Sequence, residues 1–277
     1  MLLPEGFVFS QSSLQDYCDC ARRFQLRYLE RRVWPAPQTE DALESERRMR
    51  LGQSFHRLMR QTYSGLAPAA LEAVARAEPE LARWWNNHQT APPQGLPAGL
   101  REAELTLAVG VGEQRLEARY DLLAGEAGGR WAIVDWKTVP RRTSRAVLRD
   151  RLQTRIYPWV LVQAGSTLNA GAPVVAAQVE MMYWFAEFPA QPERFAYCAG
   201  QADDDGAFLR ALLDEIRARP PDDFAKTDVR KRCRFCAYRS LCWQDAQAGR
   251  WADLGEEEPT EVDVAELDLD AVAPIPY

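Results

Sequence analysis

No stretch of this sequence reaches the roughly 18 uninterrupted apolar residues that a membrane-spanning helix needs, which excludes a helical membrane protein. Its opening, Met1-Leu2-Leu3-Pro4-Glu5-Gly6, lacks a basic region followed by an apolar run, so no secretory signal is expected and the chain is read as cytoplasmic. A Gly-x-x-x-x-Gly-Lys-Ser/Thr loop is also missing, which excludes a P-loop motor within these residues. Histidine occurs only twice, and no internal repeat is visible. Finally, residues 253–277 contain no lysine or arginine.

That last absence changes the meaning of the charge. The net charge is −6, but nine of the acidic side chains fall in residues 253–277, and without them the chain carries +3. Arginines gather at Arg22/Arg23, Arg31/Arg32, Arg47/Arg48/Arg50, Arg141/Arg142/Arg145/Arg149/Arg151 and Arg230/Lys231/Arg232. Such patches neutralise phosphates locally even where the total is acidic, so a nucleic-acid substrate stays open. With 47% apolar and 27% charged residues over 277 positions, the composition is that of a folded soluble protein. One domain is expected over 1–252, with a helical insertion at about 35–100 and a cysteine segment at 230–245. Residues 253–277 are expected to form a flexible acidic tail.

Ser12 and Gln15 suggest a capping box, and Leu14, Tyr17, Ala21, Phe24 and Tyr28 recur at helical spacing, which predicts a helix over 12–31. Further helices are predicted over 40–64 and 69–86, followed by a proline-rich loop from Asn86 to Gly99 that is a candidate lid or a disordered excursion. Residues 102–110, 114–124 and 130–137 read as three strands of an antiparallel meander. A helix over 144–164, a strand over 174–185 and a helix over 201–218 complete an α/β order. Trp34, Trp84, Trp85, Tyr183 and Trp184 are either core or base-stacking residues, with core the commoner outcome.

Asp135-Trp136-Lys137 ends an apolar strand, and residues two apart in a strand share a face. A strand-end ion pair would explain Asp-x-Lys by itself. Asp121 ends the preceding strand in an equally apolar setting, however, and a meander brings neighbouring strands' carboxylates to a common edge. A hard divalent cation relieves the repulsion between such carboxylates, and a nearby ammonium offsets charge developing on a phosphate. His56 lies on the helix at 40–64, and Gln153 and Tyr157 share one helix face.

In order along the chain, His56, Asp121, Asp135-Trp136-Lys137-Thr138 and Gln153-x-x-x-Tyr157 resemble the PD-(D/E)XK nuclease superfamily, in particular RecB-type nuclease domains. The resemblance implies a restriction-endonuclease-like core, a central mixed sheet containing the meander and flanked by helices. It also implies that His56, Asp121, Asp135 and the backbone carbonyl of Trp136 bind Mg²⁺ or Mn²⁺. Lys137 would assist the attacking water, and Gln153 and Tyr157 would help position DNA. Glu104 matches an acidic position often seen on the strand before Asp121 and would contribute to catalysis. Ala118 departs from a common glycine and Trp136 from a common tyrosine.

Six cysteines in a cytoplasmic chain do not suggest disulfides. Cys233, Cys236 and Cys242 form a compact three-thiol set that calls for a fourth ligand, and by spacing alone four thiolates suit either Zn²⁺ or an iron-sulfur cluster. The surroundings of Cys20 resemble an element of AddB-type iron-sulfur nucleases and of the CRISPR-adaptation nucleases. That resemblance implies a [4Fe-4S] cluster on Cys20, Cys233, Cys236 and Cys242, stapling the N-terminal helix to the C-terminal cysteine segment, with Cys18 and Cys198 left over. The function so implied is a metal-dependent DNA nuclease, acting as an exonuclease on single strands or ends in recombination or repair, with a separate helicase as partner. The alternatives are a CRISPR-adaptation nuclease and a non-catalytic iron-sulfur DNA-binding subunit of a helicase-nuclease complex.

Overall fold

The computed structural model describes residues 3–34, 40–243 and 248–249. The tail expected over 253–277 lies outside them. In chain order the elements are β1 (Val8–Ser10), α1 (Gln11–Asp19), α2 (Ala21–Phe24), a π-helical turn (Gln25–Leu29), α3 (Glu40–Tyr63), α4 (Pro68–Ala75), α5 (Pro79–Thr90), β2 (Leu100–Val111), β3 (Gln114–Gly125), β4 (Trp131–Lys137), α6 (Arg145–Arg149), α7 (Leu152–Ala164), β5 (Val179–Phe185), β6 (Glu193–Ala196), α8 (Ala199–Ala218) and α9 (Arg239–Cys242). No helix among the described residues is long and apolar enough to cross a membrane.

The expected meander is present: β2 and β4 each pair antiparallel with β3. The sheet is mixed because β1 runs parallel to β3, β5 runs parallel to β4, and β6 returns antiparallel to β5. Helices cover both faces. Trp131 and Ile133 of β4, with Met181 and Tyr183 of β5, pack with Leu152, Ile156 and Val160 of α7 and Leu209 of α8. Val134 and Trp136, with Met182 and Trp184, face the opposite way and pack with Leu51, Phe55 and Leu58 of α3, Leu71 of α4 and Trp84 of α5. The period-2 alternation of β4 and β5 therefore feeds two cores at once, which is why all seven residues of β4 are buried. Trp84, Trp85, Tyr183 and Trp184 belong to these cores and not to a base-stacking surface.

Several predicted elements divide. The helix expected over 12–31 breaks at Cys20, whose extended backbone (φ −164°, ψ 104°) turns the chain between α1 and α2. Its cap is the Ser10–Ser13 box and not Ser12–Gln15; Gln15 instead accepts from the Leu152 N–H and donates to Asp19. The helix over 69–86 becomes α4 and α5, because Pro79 has no N–H to continue a helix and starts a new one at its first turn. α5 then runs on to Thr90, so the expected loop shrinks to 91–99. That loop is pinned by Trp184 to the Ala91 carbonyl, by Arg130 to the Gly95 carbonyl and by Glu126 to the Ala98 N–H, which corrects its reading as a lid. The helix over 144–164 divides at Asp150–Arg151 into α6 and α7. β5 begins at Val179, after a 3₁₀ turn over Ala176–Gln178.

The second histidine is a core residue. His88 is 5% exposed, lies against Trp136 and Trp184, and meets the Tyr63 hydroxyl at 3.1 Å. Burial pushes its pKa down to about 4. The unfolded chain takes up a proton near pH 6.5 that the folded chain refuses, so this contribution is complete above pH 6.5 and is lost as the pH falls towards 4. Its size at pH 4 is about 3 kcal/mol. Urea unfolding at pH 7 and pH 4 checks it: a His88→Phe variant is expected to lose about 3 kcal/mol less than the parent over that interval. Equal losses in the two proteins would show that His88 is not the group responsible.

Candidate active site

The β3–β4 ladder runs from the Gly125–Trp131 pair to the Leu122–Val134 pair and stops there. One step further, the same register sets Asp121 opposite Asp135. Residues 115–117 of β3 pair with β1 instead, so β1 and β4 take separate stretches of β3 and leave a fork between them. Asp121 occupies this fork as a substitute for the missing ladder: its Oδ2 accepts a hydrogen bond from the Trp136 N–H at 2.8 Å.

β2 is distorted at the same level. Glu104 lies where the β2–β3 register would meet Asp121, between the Ala103–Leu122 and Leu105–Tyr120 pairs, and its φ is +57°. A side chain other than glycine in the left-handed region costs on the order of 1–3 kcal/mol. The face alternation of β3 also slips here: Leu116, Ala118 and Tyr120 belong to the α7–α8 core, yet Leu122 belongs to the α3–α5 core. The strain and the slip bring Glu104 and Asp121 to one place. Arg119 holds the Glu104 carboxylate, Nε to Oε2 at 2.5 Å.

His56 arrives from α3. It follows Gly52 by four residues on the same helix face, and a Cβ on Gly52 would stand 2.8 Å from the Thr138 hydroxyl, so glycine lets α3 close on the segment after Lys137. Nε2 of His56 lies 3.0 Å from the Trp136 carbonyl and Nδ1 lies 3.2 Å from Asp121 Oδ1. Both oxygens only accept, so a neutral ring donates to one of them and keeps a lone pair on its other nitrogen with which to ligate a metal. Burial pushes the Asp121 carboxyl up, but the His56 ring beside it, the Trp136 N–H and the Lys137 ammonium outweigh it and hold the pKa below its ordinary value.

Ligand atoms of His56, Glu104 and Asp121 all lie within 4.8 Å of one another. With the Trp136 carbonyl beside His56, the donor set is one imidazole nitrogen, two carboxylate oxygens and one carbonyl oxygen, which suits a hard divalent cation such as Mg²⁺ or Mn²⁺. Asp135 stands outside that group. It pairs with Lys137 instead, Oδ2 to Nζ at 3.0 Å, and both side chains are almost fully buried. Gln153 joins them, donating from Nε2 to Asp135 and accepting from Lys137 Nζ at 3.2 Å. Tyr157 is buried against Tyr120, ring centroids 5.3 Å apart, and its carbonyl accepts from the Tyr120 hydroxyl. Gln153 and Tyr157 are therefore placed behind the acidic residues, not on an open surface. The sequence reading missed Arg119 as the holder of Glu104; its position two residues before Asp121 on an alternating strand was the available signal.

A second constellation joins the chain ends. The Thr227 N–H points at Cys20 Sγ (3.4 Å), the Arg22 N–H bonds the Ala225 carbonyl, Arg232 bonds the Asp19 carbonyl, and Tyr238 bonds the Arg32 carbonyl. Cys20, Cys233, Cys236 and Cys242 line one cavity of about 20 Å³, which Arg23, Lys226, Arg232 and Arg239 also line. Cys18 and Cys198 are exposed and do not line it. The buried Asp16, with Asp19, fixes the Arg23 guanidinium. Burial pushes the Cys236 thiol up to about 11 and raises Cys233 and Cys242 in the same direction.

The mixed sheet, with its acidic fork and its Asp-x-Lys strand end, is a restriction-endonuclease-like α/β fold. The sequence matches the PD-(D/E)XK nuclease superfamily over residues 8–243, and the chain belongs to that superfamily. No curated protein matches it. Among solved structures it is similar to SSO0001, at 13% identity and a TM-score of 0.40, over 87% of this chain and 88% of that one. It is also similar to a presumptive exonuclease from Eubacterium rectale, at 11% identity and a TM-score of 0.46, over 76% of this chain and 80% of that one. Likeness at this level bears on neither substrate nor cofactor.

Proposed function

We propose that this chain is a Mg²⁺- or Mn²⁺-dependent deoxyribonuclease that hydrolyses phosphodiester bonds at single-stranded DNA or DNA ends. The observation that carries the proposal is the convergence of His56, Glu104 and Asp121 within 4.8 Å at the fork, next to the buried Asp135–Lys137 pair. A bound divalent ion supplies Lewis-acid polarisation of a phosphoryl oxygen and a more acidic water. His56, Glu104, Asp121 and the Trp136 carbonyl are the groups to hold it, with Asp135 completing the shell from the neighbouring strand. Lys137 directs its ammonium at charge developing on the phosphate, and Gln153 fixes the rotamers of Asp135 and Lys137. An intact set of these residues favours an enzyme over a non-catalytic subunit, since a binding role alone requires none of them.

The cysteine cavity is read as an iron-sulfur site on Cys20, Cys233, Cys236 and Cys242. The four cations that line the cavity offset the negative charge of four thiolates, and the preference for iron-sulfur over zinc rests on the resemblance of the Cys20 surroundings to the iron-sulfur nucleases. With no motor loop of its own, the nuclease would act on strands opened by a separate helicase, in recombination or repair.

The test is degradation of end-labelled single- and double-stranded DNA by anaerobically purified protein in Mg²⁺, Mn²⁺, Ca²⁺ or EDTA. Cleavage in Mg²⁺ or Mn²⁺ that stops in EDTA is expected. A metal-loaded protein that binds DNA and cuts none in any metal would move the function to the non-catalytic subunit.

A further inference from the structure

β6, an element that the hydrophobic pattern does not mark, carries the cross-strand row of the active site one strand further. Asp135 pairs with Tyr183, and Tyr183 pairs with Glu193. Cross-strand partners share a face, so Glu193 lies on the same face as Asp135, two strands away, a distance of roughly 10 Å. Contacts from α7 confirm that common face: Gln153 reaches Asp135, and the Thr154 hydroxyl meets the Tyr183 hydroxyl at 2.6 Å.

Glu193 is 8% exposed and holds two arginines, one on each carboxylate oxygen. Arg142 bonds Oε1, and Arg145 Nη1 lies 2.7 Å from Oε2. The Arg145 guanidinium also stacks on Phe195, its Cζ 4.3 Å from the ring centroid. Two cations share a single carboxylate, so the cluster keeps a net positive charge. It is also reachable, since the Arg145 side chain is 58% exposed and that of Arg142 is 37% exposed. Both arginines follow directly on Lys137, in the segment 138–145 that leads from the end of β4 into α6. A strand end tied to a sheet edge needs only one such ion pair; two aligned guanidiniums on a buried acid, one of them stacked, form a preorganised fork for an anion.

The geometry points to Arg142 and Arg145, aligned by Glu193, as a binding subsite for a non-scissile phosphate of the substrate strand, a proposal that rests on the nuclease reading above. At a rise of about 3.4 Å per nucleotide in a stacked strand, roughly 10 Å is about three nucleotides from the scissile bond. Along the row the strand would lie across the ends of β4, β5 and β6, its reacting phosphate at Asp135 and Lys137 and a non-scissile phosphate on the arginine fork. Glu193 is a positioning residue here, because it touches the arginines and not the DNA.

The experiment measures binding of a fluorescent single-stranded oligonucleotide to the full-length, cluster-loaded protein in EDTA, across a salt series, for the parent, Arg145→Gln, Arg142→Gln and Arg76→Gln. Arg76 is 72% exposed on the far α4 region and controls for loss of one charge. Arg145→Gln is expected to bind roughly fivefold more weakly at low salt, with the slope of log affinity against log salt shallower by about 0.7 and an unchanged thermal midpoint. Arg76→Gln is expected to match the parent in slope. Should Arg142→Gln fail to fold, the more exposed Arg145 carries the test. Equal slopes for Arg145→Gln and Arg76→Gln, in a protein that cleaves DNA, would overturn the subsite and leave the nuclease reading intact. A folded parent that neither binds nor cuts the oligonucleotide would overturn both.

Discussion

Replacing Lys137 with alanine is expected to lower DNA cleavage by about 10³-fold or more and, independently, to lower the thermal midpoint by roughly 6–12 °C. The two effects have separate causes. Lys137 Nζ lies 3.0 Å from Asp135 Oδ2, with both side chains out of solvent. Deleting one member of a buried pair costs about 3–5 kcal/mol, because the other charge stays buried with less compensation. Gln153 offers Asp135 one N–H and softens that loss without cancelling it. The catalytic loss is expected at a different step, the approach of the phosphate, where the Lys137 ammonium would offset developing charge. Rates of Lys137→Ala and Asp135→Asn are therefore to be compared at a temperature where both are folded. Each variant is expected to be destabilised, since each leaves the partner's charge buried without its counter-charge, and each is expected to be inactive at that temperature. Lys137→Ala cutting within tenfold of the parent would reduce Lys137 to a structural cation and remove the proposed chemistry with it.

The parts of the site that were legible in the sequence are those whose logic is local. Asp135-Trp136-Lys137 shows itself because two charges end an otherwise apolar strand, and the meander shows itself because glycines separate three β-rich runs. Cys233, Cys236 and Cys242 are close enough in sequence to read as a set. What was hidden depends on register or on single backbone angles. Glu104 was named through the resemblance alone; that it joins His56 and Asp121 depends on a left-handed backbone angle inside a strand, which no pattern of side-chain polarity reports. Cys20 interrupts an apolar stripe whose helical spacing continues across it, so periodicity predicted one helix where the extended backbone of Cys20 makes two. β6 is four residues long, pairs only with β5 and shows no clean alternation, so its Glu193 was invisible until the register of β5 was known. Gln153 and Tyr157 had the right spacing, but only packing shows that both are buried, with Gln153 on Asp135 and Lys137 and Tyr157 against Tyr120.

The largest stability effect is expected at the cysteine cavity. Cys20→Ser and Cys236→Ser should each purify with reduced iron and sulfide and with a thermal midpoint lower by more than about 10 °C, whereas Cys18→Ser and Cys198→Ser, at exposed thiols outside the cavity, should match the parent. The argument rests on loop length and on protonation. Cys20 and Cys233 are more than two hundred residues apart, and a crosslink closing so long a loop restricts the unfolded chain by about 5 kcal/mol or somewhat more in the chain-entropy account. The direct contacts between the two ends, such as Trp34 to Ser240 at 2.9 Å and Tyr238 to the Arg32 carbonyl, are single hydrogen bonds worth about 1 kcal/mol each and cannot replace it. Without a metal, burial keeps the Cys236 thiol protonated, its pKa pushed up to about 11, so metal uptake must expel protons. Metal retention is accordingly expected to weaken as the pH falls, in the opposite sense to simple thiol oxidation, which speeds up as thiolate forms. Iron and sulfide content, measured beside the thermal midpoint from pH 8 down to pH 6, should fall together in the parent. A Cys20→Ser protein with the parent's metal content and midpoint would show that Cys20 is no ligand and that the chain ends are held by packing alone.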